Sequence, residues 1–324
     1  MTPVELSRAV LGAVRRAVDD GELCVTVPDR VVVSEPGPGG CGDFATTVAL
    51  QLARPAGQPA RRVAEIVRVR LAEAHGIRDV VVTGPGFLNI SLDRRVDPVV
   101  GLVREIRRAG ARYGHGDALA GQVVVLRVPY EVRAEVVADA VVRLVGTQGG
   151  RAAVEHGEPV TLRPVPAPED PAPLGPDAAR WALLHPAAHD RPRITADHLV
   201  QREANPLFRV RYAHARVRAL GRNAARLGFD AEPGPVDDAR GLLTPLADHP
   251  RILSAAATHR APDRVARHLV TVADAVLPLL PRVLPVGEEK PSAAHRARLA
   301  LAEAAGTVLA GGLSLLGIDA PEHL

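Results

Sequence analysis

The stretch EPVTLRPVPAPEDPAPLGP, residues 158–176, places seven prolines in nineteen positions. Proline lacks a backbone N–H and fixes φ, so neither a helix interior nor a central strand can run through it. The stretch reads as a linker or an irregular loop, and it parts two differently patterned halves. Upstream, short apolar runs alternate with amphipathic periods. From about residue 177 onward the pattern is helical throughout, with Pro and Gly at the turns. A chain of 324 residues, 47% hydrophobic and 24% charged, has room for two or three globular domains.

Before the proline run, residues 2–20 read as a helix and RVVVSE (30–35) as a short strand. PGPGGCGD follows as a turn and FATTVALQLA as a helical stretch. A helix at roughly 59–75 then precedes the strand DVVVTGPGFLNISLD (79–93). This predicts a compact α+β unit over 1–95. A helix at about 96–111 leads to QVVVLRV (122–128), a strand of the buried type. The helix EVRAEVVADAVVRLVGTQGG comes next, and its Arg133, Glu135 and Asp139 are expected on a solvated face. There is no visible internal repeat.

After the proline run, NPLFRVRYAHARVRAL (205–220) opens a long amphipathic helix. Val210, Ala213, Val217, Leu220, Ala224 and Leu227 recur at helical spacing and predict a buried stripe. Arg209, Tyr212, Arg216, Asn223 and Arg226 form a separate stripe of guanidinium and phenol. Of the 40 basic residues only Lys290 is lysine, and the pI is about 9.3 at a net charge of +3. Codon bias in a GC-rich genome would produce the same excess. Arginine's planar fork nevertheless suits phosphates and base edges better than lysine does.

Other classes are excluded by composition. Two cysteines, Cys24 and Cys41, make neither a disulfide framework nor a Cys-rich zinc site. No apolar run reaches 18 residues, and the N-terminal stretch with Glu5, Arg8 and Arg15 is amphipathic, unlike a signal peptide. The expectation is a cytoplasmic protein with no membrane partner. GPGGCG (37–42) matches G-x-G-x-x-G between a strand and a helix, but Pro36 and Pro38 stiffen the turn, and the strand at 79–83 ends in Thr83 and Gly84 where a ribose would want a carboxylate. A plain turn, with Asp43 capping the next helix, is the better reading. HPAAHD sets His185 and His189 four apart, yet Pro186 interrupts the helix that would present them to a metal. Surface histidines are expected, with no metal and no cofactor.

Three blocks then carry a resemblance. NPLFRVRYAHARVRAL resembles the start of the anticodon-binding helical domain of arginyl-tRNA synthetases, the DALR type, whose pattern is close to N-P-x-Y-x-x-Q-Y-A-H-A-R. ARLALAEAAGTVLAGGLSLLGIDAPEHL is similar to that family's closing helix. GDFATTVALQLARPAGQPARRVAEIV with VVVTGPGFLNISL resembles its additional N-terminal domain. The resemblance covers roughly 1–95 and 177–324, in the family's order. LGPDAARWALLHP (174–186) also resembles the end of the family's catalytic region. Between these, the family's His-x-Gly-His signature after the first strand is absent; Val128, Pro129, Tyr130 and Glu131 stand there.

The resemblance implies three parts: an N-terminal additional domain (1–95), a connecting helix with a truncated remnant of the Rossmann-like catalytic domain and the proline-rich linker (96–176), and an all-α anticodon-binding bundle (177–324). It implies D-loop contacts from Phe87 and Asn89, an alternating pair on one sheet face. It implies anticodon contacts from Tyr212, Arg216 and Arg209, with Leu324 where the family ends in methionine. Where the family carries aromatic rings in a middle helix, this chain has Val276, Leu279 and Leu280, and each lost ring removes stacking surface worth about 1–3 kcal/mol per base. With adenylation chemistry requiring preorganised groups around phosphates, the missing signature leads to the expectation of a non-enzyme. On that reading the chain binds tRNA, that for arginine first, for delivery, sequestration or regulation. The alternative is a protein-interaction partner, for instance of an arginyl-tRNA synthetase, that has stopped binding RNA.

Overall fold

The computed structural model describes residues 3–37, 40–74, 76–92, 97–237 and 239–323. It is mixed helix and sheet, and it divides into two compact units, Met1–Gly101 and Leu102–Leu324. The division falls inside a helix, and residues 102–176, expected to connect two domains, belong to the second unit.

In the first unit, α1 (Pro3–Asp19), α2 (Val48–Ala56) and α3 (Ala60–Ala72) accompany an antiparallel sheet of order β1-β2-β4-β3. Its strands are β1 (Val33–Ser34), β2 (Phe44–Thr46), β3 (Ile77–Thr83) and β4 (Phe87–Leu92). Leu6, Val10, Ala13, Val14 and Ala17 recur along one side of α1 and meet Val80, Leu88, Ile90 and Leu92 in a single core. The stretch 79–92 folds as a hairpin that breaks at Gly84–Gly86. Gly86 has φ +140°, and a Cβ there would lie 2.9 Å from the Ala60 carbonyl oxygen, so this turn requires glycine.

Two expectations for this unit fail. Residues 44–46 are strand rather than helix: Thr46 Oγ1 donates to the Val32 carbonyl, and the β-branched pair Thr46–Thr47 delays the helix to Val48. Asp43 is therefore no helix cap; its carboxylate accepts from the Leu92 N–H at 2.8 Å and closes the end of β4.

The second unit begins within α4 (Pro98–Ala109). It continues through β5 (Val123–Val128), α5 (Val132–Thr147) and β6 (Arg151–His156), a βαβ arrangement in which β5 and β6 pair in parallel. β5 is not of the buried type: Val123 is 69% exposed and only Leu126 and Val128 are inside. β6 went unread because its run RAAVEH has no apolar alternation. The proline-rich stretch is irregular up to a short 3-10 turn at Ala172–Leu174.

Arg133 is the larger departure. It is fully buried rather than solvated. Its Nε donates to Leu183 O, its Nη1 to Val165 O and Asp190 O, and its Nη2 to Pro186 O and Ala187 O, at 2.7–3.1 Å. All five N–H donors of the guanidinium are thus satisfied by backbone carbonyls. Burial pulls its pKa down, with Glu131, Asp190 and Asp263 opposing. The neighbouring Glu135 and Asp139 do stay on the outer face, Asp139 in an i,i+4 pair with Arg143.

The remaining helices are α6 (Gly175–Leu184), α7 (Pro206–Arg226), α8 (Arg240–Thr258), α9 (Asp263–Val276) and α10 (Ala293–Leu315). α10 is buried on most sides and its small residues admit its neighbours. A Cβ on Gly306 would stand 2.9 Å from Val217 Cγ1 of α7, and one on Gly312 would collide with Leu269 of α9. No helix among the described residues is long and apolar enough to cross a membrane.

Candidate nucleic-acid interface

α7 is set by its first residues. The Asn205 side-chain oxygen accepts from the Leu207 and Phe208 N–H groups, and its amide nitrogen donates to His198 O and Val200 O. With Pro206 at the first helical position, this is a strong N-terminal stop. Val210, Ala213, Val217, Leu220 and Ala224 are buried as the spacing predicts; Leu227, at the end of the helix, is half exposed, and Phe229 turns inward after it.

The opposite stripe faces out. Tyr212 is 38% exposed, its ring stacked on Phe208 at 5.5 Å, and the Arg216 guanidinium carbon lies 6.0 Å from the Tyr212 centroid. Phe208, Tyr212 and Arg216 therefore form one i,i+4,i+8 stack, and Phe208 is the member that sequence reasoning missed although its spacing was legible. Arg209 is 3.1 Å from Asp274 of α9, with its buried Nε lacking a partner in the described structure. Arg211 meets Asp177 at 3.5 Å, and Arg218 and Arg222 both face Glu322. Arg216 faces no carboxylate among the described residues. A ring with a free guanidinium above it is what an unstacked base can lie against.

Leu324 lies outside the described residues. The segment before it runs along α7. His214 Nδ1 donates to Pro321 O at 3.0 Å, and Arg218 holds the Glu322 carboxyl below the usual carboxylate range. Burial pushes the His214 imidazole down. Val276 and Leu280, where the resembled family has rings, point into the core, and Leu279 is half-buried.

The other predicted pair behaves differently. Phe87, first residue of β4, is 38% exposed at the hairpin turn. Asn89, two residues on, is 2% exposed. Its amide nitrogen donates to Thr83 Oγ1 at 2.6 Å, and its oxygen accepts from the Cys41 N–H at 3.3 Å. The Gly40–Cys41 segment covers it so closely that a Cβ on Gly40 would lie 2.9 Å from the Asn89 oxygen.

His185 and His189 do not form a pair. α6 ends at Leu184, His185 stacks on Trp181 at 5.1 Å, and His189 lies beyond the helix beside Asp190. No group of three or more metal-ligating side chains occurs among the described residues. In place of a His-x-Gly-His signature, the exposed Tyr130 stacks on His156 at 4.1 Å, and Glu131 caps α5 through the Ala134 N–H.

Comparison with known proteins agrees with this layout. Residues 5–92 match the arginyl tRNA synthetase N terminal domain, and residues 210–324 match the DALR anticodon binding domain. In these two stretches the chain is similar to the arginyl-tRNA synthetases. An Arginine–tRNA ligase of Frankia alni is 48% identical over 115 residues, 36% of this chain and 20% of that protein. One of Renibacterium salmoninarum is 46% identical over 127 residues, 38% of this chain and 23% of that protein. The chain thus spans about a fifth of the length of these curated relatives. In shape it is similar to the Thermus thermophilus arginyl-tRNA synthetase, at a TM-score of 0.66 and 14% identity over 100% of both chains, a likeness of fold.

These findings overturn the expectation of a non-enzyme. The relatives are named as ligases, and the likeness of fold runs over the whole chain rather than over its two ends. The expectation had rested on one absent signature. A missing motif is a weak guide, because a site is defined by where groups converge and not by one local string.

Proposed function

We propose that this chain binds tRNA, that for arginine first, and that this binding serves arginine–tRNA ligation in the cytoplasm. The observation that carries the reading is the Phe208–Tyr212–Arg216 stack on a helix held firmly by its Asn205 cap and by α10, with Tyr212 and Arg216 exposed and inside the stretch that matches an anticodon-binding domain. Bases splayed from a loop stack on such rings and guanidinium planes, while phosphates supply salt-dependent affinity. Phe87, standing open at the end of β4 within the matched N-terminal domain, offers a second stacking surface, for a D-loop base.

The test is a titration of arginine tRNA against the chain at several salt concentrations, with Tyr212→Ala/Arg216→Ala as the variant. Binding should weaken by at least about tenfold, or ~1.4 kcal/mol, in the variant, with the urea midpoint unchanged. Equal binding by the two proteins removes the anticodon-side assignment. Arginine-dependent ATP–pyrophosphate exchange, measured alongside, reads the ligation side directly; its absence removes that part of the proposal.

A further inference from the structure

A second cationic feature lies within the same unit. Between the end of α6, the following loop and α9 is an open cleft of about 360 Å³, lined by His185, Pro186, Asp190, Arg191, Arg193, His198 and Arg267. Three arginines and two histidines converge on it against one lining carboxylate, Asp190. Arg267 is paired with Asp263 at 2.6 Å. Arg191 and Arg193 face no carboxylate within ion-pair distance among the described residues, so their charge is not spent within the fold.

The wall of this cleft is built rather than incidental. Arg133 holds the carbonyls of Leu183, Pro186, Ala187 and Asp190 from beneath, fixing the backbone that presents His185, Asp190 and Arg191. His198 Nε2 donates to the Arg193 carbonyl at 2.9 Å, tying the far end of the loop to the opposite rim. Burial first, then Arg267 and His198, lower the His185 pKa, with Asp263 opposing.

We propose that this cleft is an oxyanion site that takes a phosphate group, with Arg191, Arg193 and Arg267 as its donors. Guanidinium forks on a fixed loop fit phosphate oxygens in pairs. The phosphate comes either from an RNA backbone or from a small phosphorylated molecule, and only the first source rests on the tRNA-binding reading.

The test follows the ring signals of His185 and His198 by NMR in the full chain while inorganic phosphate, and separately arginine tRNA, are added. Phosphate should shift both signals saturably and raise the His185 titration midpoint, and Arg191→Gln/Arg193→Gln should abolish the response. Both substituted residues are exposed, so the fold survives. If tRNA displaces phosphate, and the variant loses about tenfold in tRNA affinity with a salt-dependence slope shallower by about two, the source is RNA. If phosphate binds and tRNA neither displaces it nor depends on the two arginines, the source is a small phosphorylated molecule. Ring signals unmoved by either ligand overturn the proposal. tRNA binding that dies with Tyr212→Ala/Arg216→Ala while these signals stay still sinks the cleft alone; a phosphate response without tRNA binding sinks the tRNA reading alone.

Discussion

The strand pair Phe87–Asn89 and the helix pair Tyr212–Arg216 look alike in sequence, an aromatic and a polar residue spaced to share a face. Their polar members have opposite fates. Asn89 is consumed by its own fold, bridging Thr83 across the hairpin to the backbone at Cys41. Arg216 has no hydrogen-bond or ion-pair partner among the described residues and lies over the ring beside it. The second unit assigns its structural polar work to other residues, Arg133 inside α5, His249 and His268 between α8 and α9, and the paired Arg209, Arg211, Arg218 and Arg222 of α7, and so leaves Tyr212 and Arg216 unspent among the described residues. The first unit has one residue where the second has two kinds. Substitution should therefore separate stability from RNA binding in the second unit and fail to separate them at Asn89.

The largest effect is expected at Arg133. Arg133→Met removes five donors and leaves their buried carbonyls short of partners, each lacking one costing about 1–3 kcal/mol before relaxation. The loss should reach about 4 kcal/mol in urea unfolding. A change below about 1 kcal/mol would show that water replaces the guanidinium, and that the second unit does not rest on this residue.

Next comes acid. His249 stacks between Tyr113 (5.8 Å) and His268 (5.2 Å), and neither its Nδ1 nor the His268 Nε2 has a partner in the described structure. Burial, then His268 and His115, lower His249 to about 3. Burial lowers His268 to about 4, with Arg251 adding to the shift and Asp248 opposing it. Between those values and 6.5 the unfolded chain binds protons that the folded chain refuses, so stability rises with pH. It is complete above about pH 6.5 and drains away as pH falls toward 4 and then 3. From pH 7 to 4.5 the unfolding free energy should drop by about 5 kcal/mol more in the native chain than in His249→Phe/His268→Phe. Matching pH profiles for the two proteins would deny these rings a role.

How much of this was legible differs between the two regions for the same reason. The α7 face could be read because helical spacing is local: Asn205–Pro206 announces the start, the apolar stripe fixes the rotation, and what remains must point outward. The burial of Asn89 could not be read, because the cover comes from residue 40, half a domain away in sequence. Arg133 misled for a related reason. Arginine on an amphipathic helix is ordinarily solvated, and nothing local reports that five carbonyls from 165 and from 183–190 converge there. β2 was lost to a helix assignment because three residues carry too little period to outweigh the helix that follows them. The absent His-x-Gly-His signature, legible as it was, turned out to be a poor witness on ligation.

The smallest effects decide the comparison at its narrowest point, within β4. Phe87→Ala removes a half-exposed ring that no interior contact depends on, so the unfolding midpoint should stay put. If that ring stacks a base, tRNA affinity should fall by about 1–2 kcal/mol, roughly five- to thirtyfold. Asn89→Ala leaves Thr83 and the Cys41 amide without their partner and should cost about 1–2 kcal/mol of stability in the first unit. Its effect on tRNA should then follow the loosening of the 40–41 segment rather than a lost base contact. Asn89→Asp separates the two: its carboxylate still accepts from Cys41 but no longer donates to Thr83, and it brings negative charge toward any nearby phosphate. A tRNA affinity that falls in Asn89→Ala and Asn89→Asp while both proteins keep the native melting point would mean that Asn89 swings out to meet the RNA. The two aromatic–polar pairs would then work alike, and the contrast drawn between strand and helix would fail.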